Sequence, residues 1–412
     1  MRYLLFIGVL SFCAGAEFQP VTIQPVSVSV QPMTGIVLWS DNEQVATDAI
    51  QLEYSYVRYD AVATGPDVEK WDWTPIEKLL AAAAARKHQQ ILRLHFVYPG
   101  EKSSAVPAYI KALPGYRDVV ADSEKQPTGF CDWGHAALQD FAIDFNKRMA
   151  ARYDNDPRLA FMQVGFGLWA EYHIYDGPFT LGKTFPDFAY QKRFLQAMAT
   201  IWQQTPWMIS IDAANNEVTP IAGDRSLLGL PFGVFDDSFL CKQHAKENAK
   251  NWTMLSGDRW QRAPAGGEFS YYNNKDQKLA LSAAGPNGEP FALAAARFHL
   301  SFIIGNDQAK HAGLETVKKA GQAIGYKFRI ASAEQNDQVT NLSITNDGIA
   351  PCYMDVYPAI GKLCSTTSLK GLLPGQTRTC SISARGGAVH MVCARLVPGQ
   401  VIGFNVSAFA QK

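Results

Sequence analysis

The chain has 412 residues, and its 38 Lys and Arg residues balance 38 Asp and Glu residues, which gives a formal net charge of zero. A balanced charge argues against a nucleic-acid partner, which needs a basic surface, and does not favour a strongly anionic polymer as substrate. The length is sufficient for one large domain and one small domain. Aromatic residues make up 12% of the chain, a content that suits the flat apolar faces of sugar rings as well as a large core.

The first residues have the features of a secretory signal peptide. Arg2 supplies a positive charge, residues 3–12 form an apolar run, and small residues at 14–16 offer a cleavage site. The run is too short to span a membrane, and no later stretch is long and apolar enough to do so. We therefore predict a signal peptide over residues 1–16 and a secreted or periplasmic mature protein without a membrane partner.

Cysteine usage is consistent with export. Without Cys13, six cysteines remain, namely Cys131, Cys241, Cys352, Cys364, Cys380 and Cys393. An even number in an oxidising compartment predicts disulfides. The preferred bridges are Cys352–Cys364 and Cys380–Cys393, because these residues are close in sequence, and Cys131–Cys241 would then remain. The alternative is that one or two of these residues are buried thiols.

Apolar runs typical of buried strands alternate with helical patterns between about residues 35 and 325. The runs cover 35–39, 54–59, 91–97, 159–165, 207–211, 232–235, 265–269 and 300–304. The helical patterns cover 74–88, 135–153, 188–202, 240–252, 290–299 and 314–324. This alternation predicts an α/β fold with a (β/α)8 TIM-type barrel, over residues 17–325. If the first run is a decoration, every strand number shifts by one, since only residues 42–49 could form a helix after it.

The pattern changes after residue 326. Helical periodicity ends, and short strand-like runs follow at 327–331, 338–345, 352–359, 377–382, 388–396 and 401–406. Turn sequences such as Asn346-Asp-Gly348 separate them. We predict a small antiparallel β-sandwich over residues 326–412.

Two glutamates follow apolar runs at positions that would lie at the mouth of a barrel. Glu171 comes after the fourth predicted strand and Glu268 after the seventh. Strands four and seven lie across the barrel mouth, where barrel enzymes place their chemistry. Retaining glycosidases use two carboxyl groups roughly 5–5.5 Å apart, one as acid/base and one as nucleophile. We predict these two glutamates as the catalytic pair; the alternative for each is a salt-bridged or helix-capping carboxylate.

The neighbours of each glutamate suggest its role. Trp169, Tyr172 and His173 give Glu171 an apolar, aromatic setting, which favours the protonated acid/base. Tyr271, Tyr272 and Asn273 are possible donors that would keep Glu268 ionised as the nucleophile.

Further polar and aromatic residues lie at predicted strand ends and are costly there unless they pair or bind a ligand. The predicted substrate-binding residues are Arg58, Asp60, Arg93, His95, Trp169, Tyr172, His173, Asp212, Asp236, Asp237, Tyr271, Tyr272, His299 and Asn306. Alternatives are a structural ion pair for Arg58 with Asp60 and a satisfied core histidine for His95. Asp236 and Asp237 lack further ligands at metal-site spacing, and no Gly-rich phosphate loop, Gly-x-Ser-x-Gly or His-Glu-x-x-His motif occurs, so we predict no metal and no cofactor.

The segment Gly165-Phe-Gly-Leu-Trp-Ala-Glu171-Tyr-His173 resembles the Gly-x-x-Gly-x-Trp-Gly-Glu-Trp-His signature of a bacterial family known as domain of unknown function 4832. Segments 233–239, 266–268, 299–306, 325–330 and 342–348 are also similar to that family. The resemblance implies a barrel with a C-terminal β-sandwich and a glycoside hydrolase activity.

A looser resemblance is to the glycosidase clan whose acid/base and nucleophile glutamates follow strands four and seven. That clan usually has Asn before the acid/base to contact the sugar 2-hydroxyl, where this chain has Ala170. Asn215 or Asn306 could take that role.

These observations predict an exported, retaining glycoside hydrolase that acts on a poly- or oligosaccharide. Three alternatives stay open. The first is a barrel that binds carbohydrate without cleaving it, and the second is a structural surface protein. The third is a polysaccharide lyase, which would use His95, His173, Tyr172 or Arg93.

Overall fold

The computed structural model describes residues 17–407, in which eight parallel strands close into a barrel. We number these barrel strands 1 to 8 along the chain. Their bounds are Gly35–Trp39, Leu52–Arg58, Gln89–His95, Leu159–Val164, Trp207–Ser210, Gly233–Phe239, Ala265–Phe269 and Phe302–Ile304. The first pairs with barrel strands 8 and 2. The predicted (β/α)8 barrel is therefore confirmed, and the first run is a barrel strand.

Helices surround the barrel. The longer ones are Thr74–Ala85, Ala136–Tyr153, Phe188–Ile201, Ala245–Met254, Phe291–Arg297 and Leu314–Ala323, and they match the six predicted helices. Shorter helices are Tyr59–Val62, Ala108–Lys111, Arg225–Leu228, Asn274–Leu279 and Gln308–His311, with 3-10 turns at Val68–Lys70, Ile211–Ala214 and Arg259–Gln261. Among residues 17–407, no helix has the length and apolar character needed to cross a membrane.

The barrel interior is filled by side chains from alternate strand positions. Phe161 and Phe302 stack there with ring centroids 5.1 Å apart. A Cβ on Gly266 would lie 2.3 Å from the Phe302 ring, and one on Gly267 would lie 2.3 Å from the Asp236 carbonyl oxygen. Barrel strand 7 can therefore pack this closely only with two glycines before Glu268.

Two small sheets follow the barrel in sequence. One joins Phe328–Gln335, Thr340–Asn346, Thr377–Ile382 and Phe404–Val406, and the other joins Tyr357–Ile360, Leu363–Cys364 and Val389–Val392. Side chains from both sheets share one buried core, as in a β-sandwich. The predicted sandwich is confirmed, and its pairings are antiparallel except that of Phe404–Val406 with Phe328–Gln335, which is parallel.

An N-terminal strand, Gln19–Pro20, pairs antiparallel with Phe328–Gln335 of the first small sheet. Residues before the barrel thus contribute to the sandwich, which the sequence analysis did not anticipate. The domain limits at 17–325 and 326–412 remain predictions.

All six cysteines of the described chain are free, so the three predicted bridges are not formed. Two of these bridges were predicted from closeness in sequence, but the fold does not place their cysteines together. Cys364 is exposed, whereas Cys352 is buried. Cys380 lies opposite Leu342 in the first sheet, while the Cys393 sulfur lies 3.9 Å from Met354 Sδ. The predicted signal peptide at residues 1–16 lies outside the described residues, and export remains a prediction.

Candidate active site

The loop that carries Glu171 doubles back on itself directly after barrel strand 4. The Gly167 amide donates to the Glu171 carbonyl oxygen at 2.9 Å. A Cβ on Gly165 would lie 2.0 Å from the Ala170 oxygen, and one on Gly167 would lie 1.8 Å from the His173 oxygen. The two glycines of the family-like motif are therefore needed for the loop to close.

The loop is strained just before Glu171. Trp169 and Ala170 both have φ of 57°, in the left-handed region that disfavours residues with a Cβ. Such conformations cost on the order of 1–3 kcal/mol each and occur mostly where function requires them. Arg93 holds the loop by donating to the Trp169 carbonyl oxygen at 3.2 Å, and the Trp169 indole donates to the Tyr175 hydroxyl at 3.1 Å.

Glu171 is linked to barrel strand 5 through a histidine. His173 Nε2 lies 3.1 Å from Glu171 Oε2, and His173 Nδ1 lies 3.1 Å from Asp212 Oδ1. Burial raises the pKa of Glu171 well above its usual range, with His173 opposing. Burial would lower the pKa of His173, but Asp212 and Glu171 outweigh it and raise the pKa to about 9. His173 also lowers the pKa of Asp212 against the effect of burial.

The directions of these shifts favour an ionised Asp212, a cationic His173 and a protonated Glu171. This is the protonation state that a general acid requires.

A buried ion pair lies at the centre of the mouth. Arg93, only 1% exposed, binds Asp237 with both terminal nitrogens, at 2.7 and 3.1 Å. Its Nε donates to Gln163 Oε1 at 2.7 Å. Asp237 raises the pKa of Glu171 and of Glu268, while Arg93 lowers both. The two glutamates therefore share this pair as an electrostatic neighbour.

Glu268 is the penultimate residue of barrel strand 7. Burial and then Asp237 raise its pKa to about 8, against Arg93 and the Trp39 indole. Its Oε1 is buried and has no hydrogen-bond partner in the described structure. The Trp39 indole N–H is also unpaired, so this indole favours the ionised form of Glu268 without forming a hydrogen bond of normal geometry. Asp307 also raises the pKa of Glu268. The predicted donors do not reach this oxygen.

Arg58, Asp60 and His95 lie at the mouth with different roles. Arg58 donates to Asp60 at 2.9 and 2.8 Å and also pairs with Glu101, so the structural ion pair is what the structure contains. His95 is 3% exposed, and its Nδ1 has no partner among residues 17–407. Burial lowers its pKa to about 4, which leaves the ring neutral at pH 7.

Three predicted binding residues face away from the mouth, which corrects their assignment. Asp236 accepts from Asn248 Nδ2 at 2.8 Å and from the Ser238 amide at 2.9 Å, so it faces a helix outside the barrel. Tyr172 is fully buried and packs against Phe166, with centroids 5.2 Å apart. Successive side chains of a strand point to opposite sides, so the neighbour of a residue that faces the mouth points away from it.

His299 is the third of these residues. It precedes barrel strand 8 and therefore lies at the amino end of the barrel, opposite the mouth. Its ring stacks on Trp260 with centroids 3.5 Å apart, and its Nδ1 lies 2.6 Å from the Ile349 oxygen. The residue joins the barrel to the sandwich region.

Asn306 and the exposed tyrosines complete the predicted set. Asn306 Oδ1 accepts from the Trp39 amide at 3.0 Å and from Asn42 Nδ2 at 2.7 Å, so its side chain holds the loop after barrel strand 1. Tyr271 and Tyr272 are 51% and 61% exposed at the rim. Their exposure leaves ring faces available to a ligand.

An aromatic wall beside the ion pair contains the predicted Trp169 together with Trp39, Tyr56 and Tyr98, which were not among the predicted binding residues. Tyr56 lies with its ring centroid 5.9 Å from Trp39 and 5.4 Å from Tyr98, and Tyr98 lies 4.3 Å from Trp169. Arg93 donates to the Tyr56 hydroxyl at 3.3 Å. The period of two along barrel strand 2 could have indicated Tyr56 as an inward residue.

Glu171, His173 and Asp212 each have a possible metal-ligand atom, and these three atoms lie within 4.8 Å of one another, which is close enough for a metal site. However, the imidazole lies between the two carboxyls, with a different nitrogen facing each one. One ion could bind only one of those nitrogens. The geometry fits a hydrogen-bonded relay better than a chelate.

Comparison with known proteins gives similarity at the level of solved structures. No family model matches the chain, so the resemblance to the family of unknown function is not confirmed. No curated protein matches it either.

Several solved glycoside hydrolases align over most of the chain. A GH30 endoxylanase from Clostridium papyrosolvens is 11% identical, with a TM-score of 0.43 and coverage of 91% of this chain and 97% of the other. Endo-glycoceramidase II from Rhodococcus is 9% identical, with a TM-score of 0.44 and coverage of 89% and 100%. The α-galactosidase TtGalA from Thermus thermophilus is 13% identical, with a TM-score of 0.41 and coverage of 77% and 66%. At these scores the similarity carries no information on activity, and the barrel itself is established by the strand order.

Proposed function

We propose that this protein is a glycoside hydrolase with Glu171 as general acid/base and Glu268 as nucleophile. The observation that supports the proposal best is the contrast in how the two carboxyls are held around one ion pair. Glu171 keeps a proton beside His173 and Asp212, whereas Glu268 Oε1 is free of hydrogen bonds. A proton donor and a second carboxyl group that can act as nucleophile are the two groups that a retaining mechanism needs.

The proposed reaction has two steps. The ionised carboxylate of Glu268 attacks the anomeric carbon while Glu171 gives its proton to the glycosidic oxygen, so the bond to the leaving group breaks and a glycosyl ester forms. Glu171, now ionised, takes a proton from water, and the resulting hydroxide equivalent attacks the same carbon and releases Glu268. The positive charge that develops on the sugar is stabilised by Asp237.

The charge of the mouth supports a neutral or cationic sugar as substrate. Asp212, Asp237 and Asp307 add negative charge around the two glutamates. Arg93 is already bonded to Asp237 with both terminal nitrogens. A uronate carboxylate entering this site would meet like charge without a free cation nearby, which is costly. The aromatic wall offers apolar faces for pyranose rings.

The lyase alternative loses support because its candidate residues are engaged or inaccessible. Tyr172 is fully buried, and Arg93 is bound to Asp237. His173 contacts a carboxyl with each ring nitrogen. A lyase also needs an anionic sugar, which the acidic mouth disfavours.

The test is an assay of the full chain against a panel of neutral, amino and uronic polysaccharides. We expect new reducing ends from a neutral or amino polymer, without absorbance from unsaturated products. Glu171→Gln and Glu268→Gln should abolish them. Glu217→Gln, an exposed residue in the loops after barrel strand 5, is the matched control and should keep full activity.

Two results would contradict the proposal. Unsaturated products would identify a lyase. Saturable binding of a polysaccharide without new reducing ends would identify a carbohydrate-binding barrel.

A further inference from the structure

A cavity of about 210 Å³ lies between the amino end of the barrel and the sandwich. Phe161 at the start of barrel strand 4 and Ser301 before barrel strand 8 form one side, and Tyr326, Met354 and Arg395 form the other. This is the barrel end opposite Glu171 and Glu268. An engineered cavity of about 150 Å³ is known to hold benzene, so the space here admits a ring with a polar substituent.

The inner wall contains a buried cation without a carboxylate partner. Arg395 is 7% exposed and donates to the carbonyl oxygens of Asp154 at 2.9 Å and Leu159 at 2.6 Å, and to Thr205 Oγ1 at 3.0 Å. These three acceptors are neutral. Within residues 17–407, its Nε and its fifth N–H have no acceptor, and it forms no ion pair. A buried guanidinium with spare donors is suited to a carboxylate, which accepts two parallel bonds.

A second polar group lies on the side of the cavity opposite Arg395, next to Phe161. Ser301 is 2% exposed, and its Oγ forms no hydrogen bond of normal geometry in the described chain, although it lies close enough to the Tyr353 hydroxyl to lower the pKa of that group. The neighbouring hydroxyl of Tyr353 donates instead to the Trp260 carbonyl oxygen. Leaving a buried hydroxyl unpaired costs about 1–3 kcal/mol, which a bound ligand would offset.

The remaining wall is apolar and the rim is polar. Met33, Phe161 and Met354 are buried, whereas Asn155 and Gln204 are exposed at the edge. Lys370 and Asp355 pair at 3.5 Å on the sandwich side, both half exposed. An apolar lining that ends in a few unsatisfied polar groups is the usual composition of a small-molecule site.

We propose that this cavity is a second ligand site, for a small organic monocarboxylate. Its carboxylate binds the free N–H groups of Arg395 and the Ser301 hydroxyl, and its body lies against Phe161 and Met354. Because Arg395 belongs to the sandwich region and its acceptors to the barrel, the ligand would contact both. The site is independent of the proposed hydrolase activity.

Isothermal titration calorimetry on the full chain tests this site with charged and neutral probes of equal shape. Benzoate is compared with benzamide, and glucuronate with glucose, which separates an apolar acid from a sugar acid. We expect one molecule of at least one carboxylate to bind per chain, about tenfold or more tighter than its neutral counterpart. Arg395→Met should weaken that binding by about the same factor.

Two variants keep the test decisive if Arg395→Met does not fold. Ala394→Trp fills the cavity from an exposed position and should abolish binding. Arg329→Met, which removes an arginine from the sandwich surface far from the cavity wall, is the matched control and should bind as the parent does. Glu268→Gln should also bind normally, which excludes binding at the mouth. Absence of saturable binding by both carboxylates, or normal binding by Ala394→Trp, would overturn the proposal.

Discussion

Glu171 and Glu268 lie at the same mouth but in opposite kinds of surroundings. Glu171 is on a strained loop that folds over two glycines, and its carboxyl lies 3.1 Å from His173, whose other ring nitrogen lies 3.1 Å from Asp212. Glu268 is on a regular barrel strand, and one of its oxygens has no partner. A loop can adjust its hydrogen bonds to retain a proton, whereas a strand fixes an oxygen in place. The difference is the physical basis for assigning the two roles.

The largest expected effect separates the two glutamates by leaving group. Glu268→Gln should lower kcat/KM by about 10⁴-fold or more on every substrate, because the nucleophile is always required. Glu171→Gln should cost about 10²–10⁴-fold on a polysaccharide, but far less on an aryl glycoside whose phenolate leaves without a proton. Both are measured by initial rates. Equal losses on the two substrate types would remove the distinction between the roles.

The pH profile gives the next largest effect. Glu268, with a pKa of about 8, must be ionised to attack. We therefore expect kcat/KM to rise about tenfold per pH unit below that value, which amounts to about 10³-fold between pH 5 and 8. If kcat/KM instead falls above pH 8, Glu268 is the proton donor and Asp237 becomes the candidate nucleophile.

Replacing Arg93, the cation that pairs with Asp237 beside both glutamates, should destabilise the fold. Arg93→Met leaves Asp237 buried without its partner and should lower the free energy of unfolding by about 3–5 kcal/mol. Arg58→Met breaks a partly exposed ion pair and should cost only about 0–1 kcal/mol. Urea unfolding of both variants measures the difference. If both variants lose a similar free energy of unfolding, the Arg93–Asp237 pair stabilises the fold no more than a surface ion pair does.

Glu268 should make the free energy of unfolding depend on pH with a defined sign. Its pKa is about 8 in the folded state against 4.5 for an ordinary glutamate, so the folded state binds the proton more tightly. This contribution is fully present below about pH 4.5 and is lost as the pH rises to about 8.

Glu268→Gln should therefore gain stability relative to the parent over that range, by a few kcal/mol at most, since one pKa unit corresponds to about 1.4 kcal/mol and solvent screens part of it. Thermal or urea unfolding at pH 5 and at pH 8.5 gives the two values. A gap between variant and parent that does not change with pH would contradict the raised pKa.

The smallest effect tests the strain before Glu171. Ala170→Gly should raise the free energy of unfolding by up to about 1 kcal/mol, because glycine adopts the positive φ without a clash. It should also lower kcat by loosening the loop. Ala63→Gly is the control: Ala63 has φ of −82°, so the same change should cost about 1 kcal/mol. A loss of stability in Ala170→Gly would mean that the loop is not strained.

Local patterns in the sequence were sufficient for the barrel. Buried strands and amphipathic helices leave periodicities that neighbouring residues record, and all eight predicted strands and six predicted helices are present. The position of Glu171 after barrel strand 4 followed from counting, whereas Glu268, predicted to follow the seventh strand, is the penultimate residue of barrel strand 7.

Strand ends were harder to predict, and two assignments failed there. The sixth predicted run ends at residue 235, which makes both Asp236 and Asp237 candidates for binding at the mouth. Barrel strand 6 continues to Phe239, however, so their side chains point to opposite sides of the strand. His299 precedes the eighth predicted run as well as barrel strand 8, so it lies at the amino end of the barrel and was wrongly grouped with the residues that follow strands at the mouth. Polar residues at strand ends weaken the apolar signal that defines a boundary.

The sequence by itself determined the barrel, the number of its strands and the ends at which the two glutamates lie, because those features depend on residues near one another in the chain. Only the tertiary structure decided that His173 contacts Asp212 and that Arg93 binds Asp237. Those partners come from different strands, which meet only when the barrel closes. Burial and the nearby Asp237 raise the pKa of both Glu171 and Glu268, and local sequence does not show either effect.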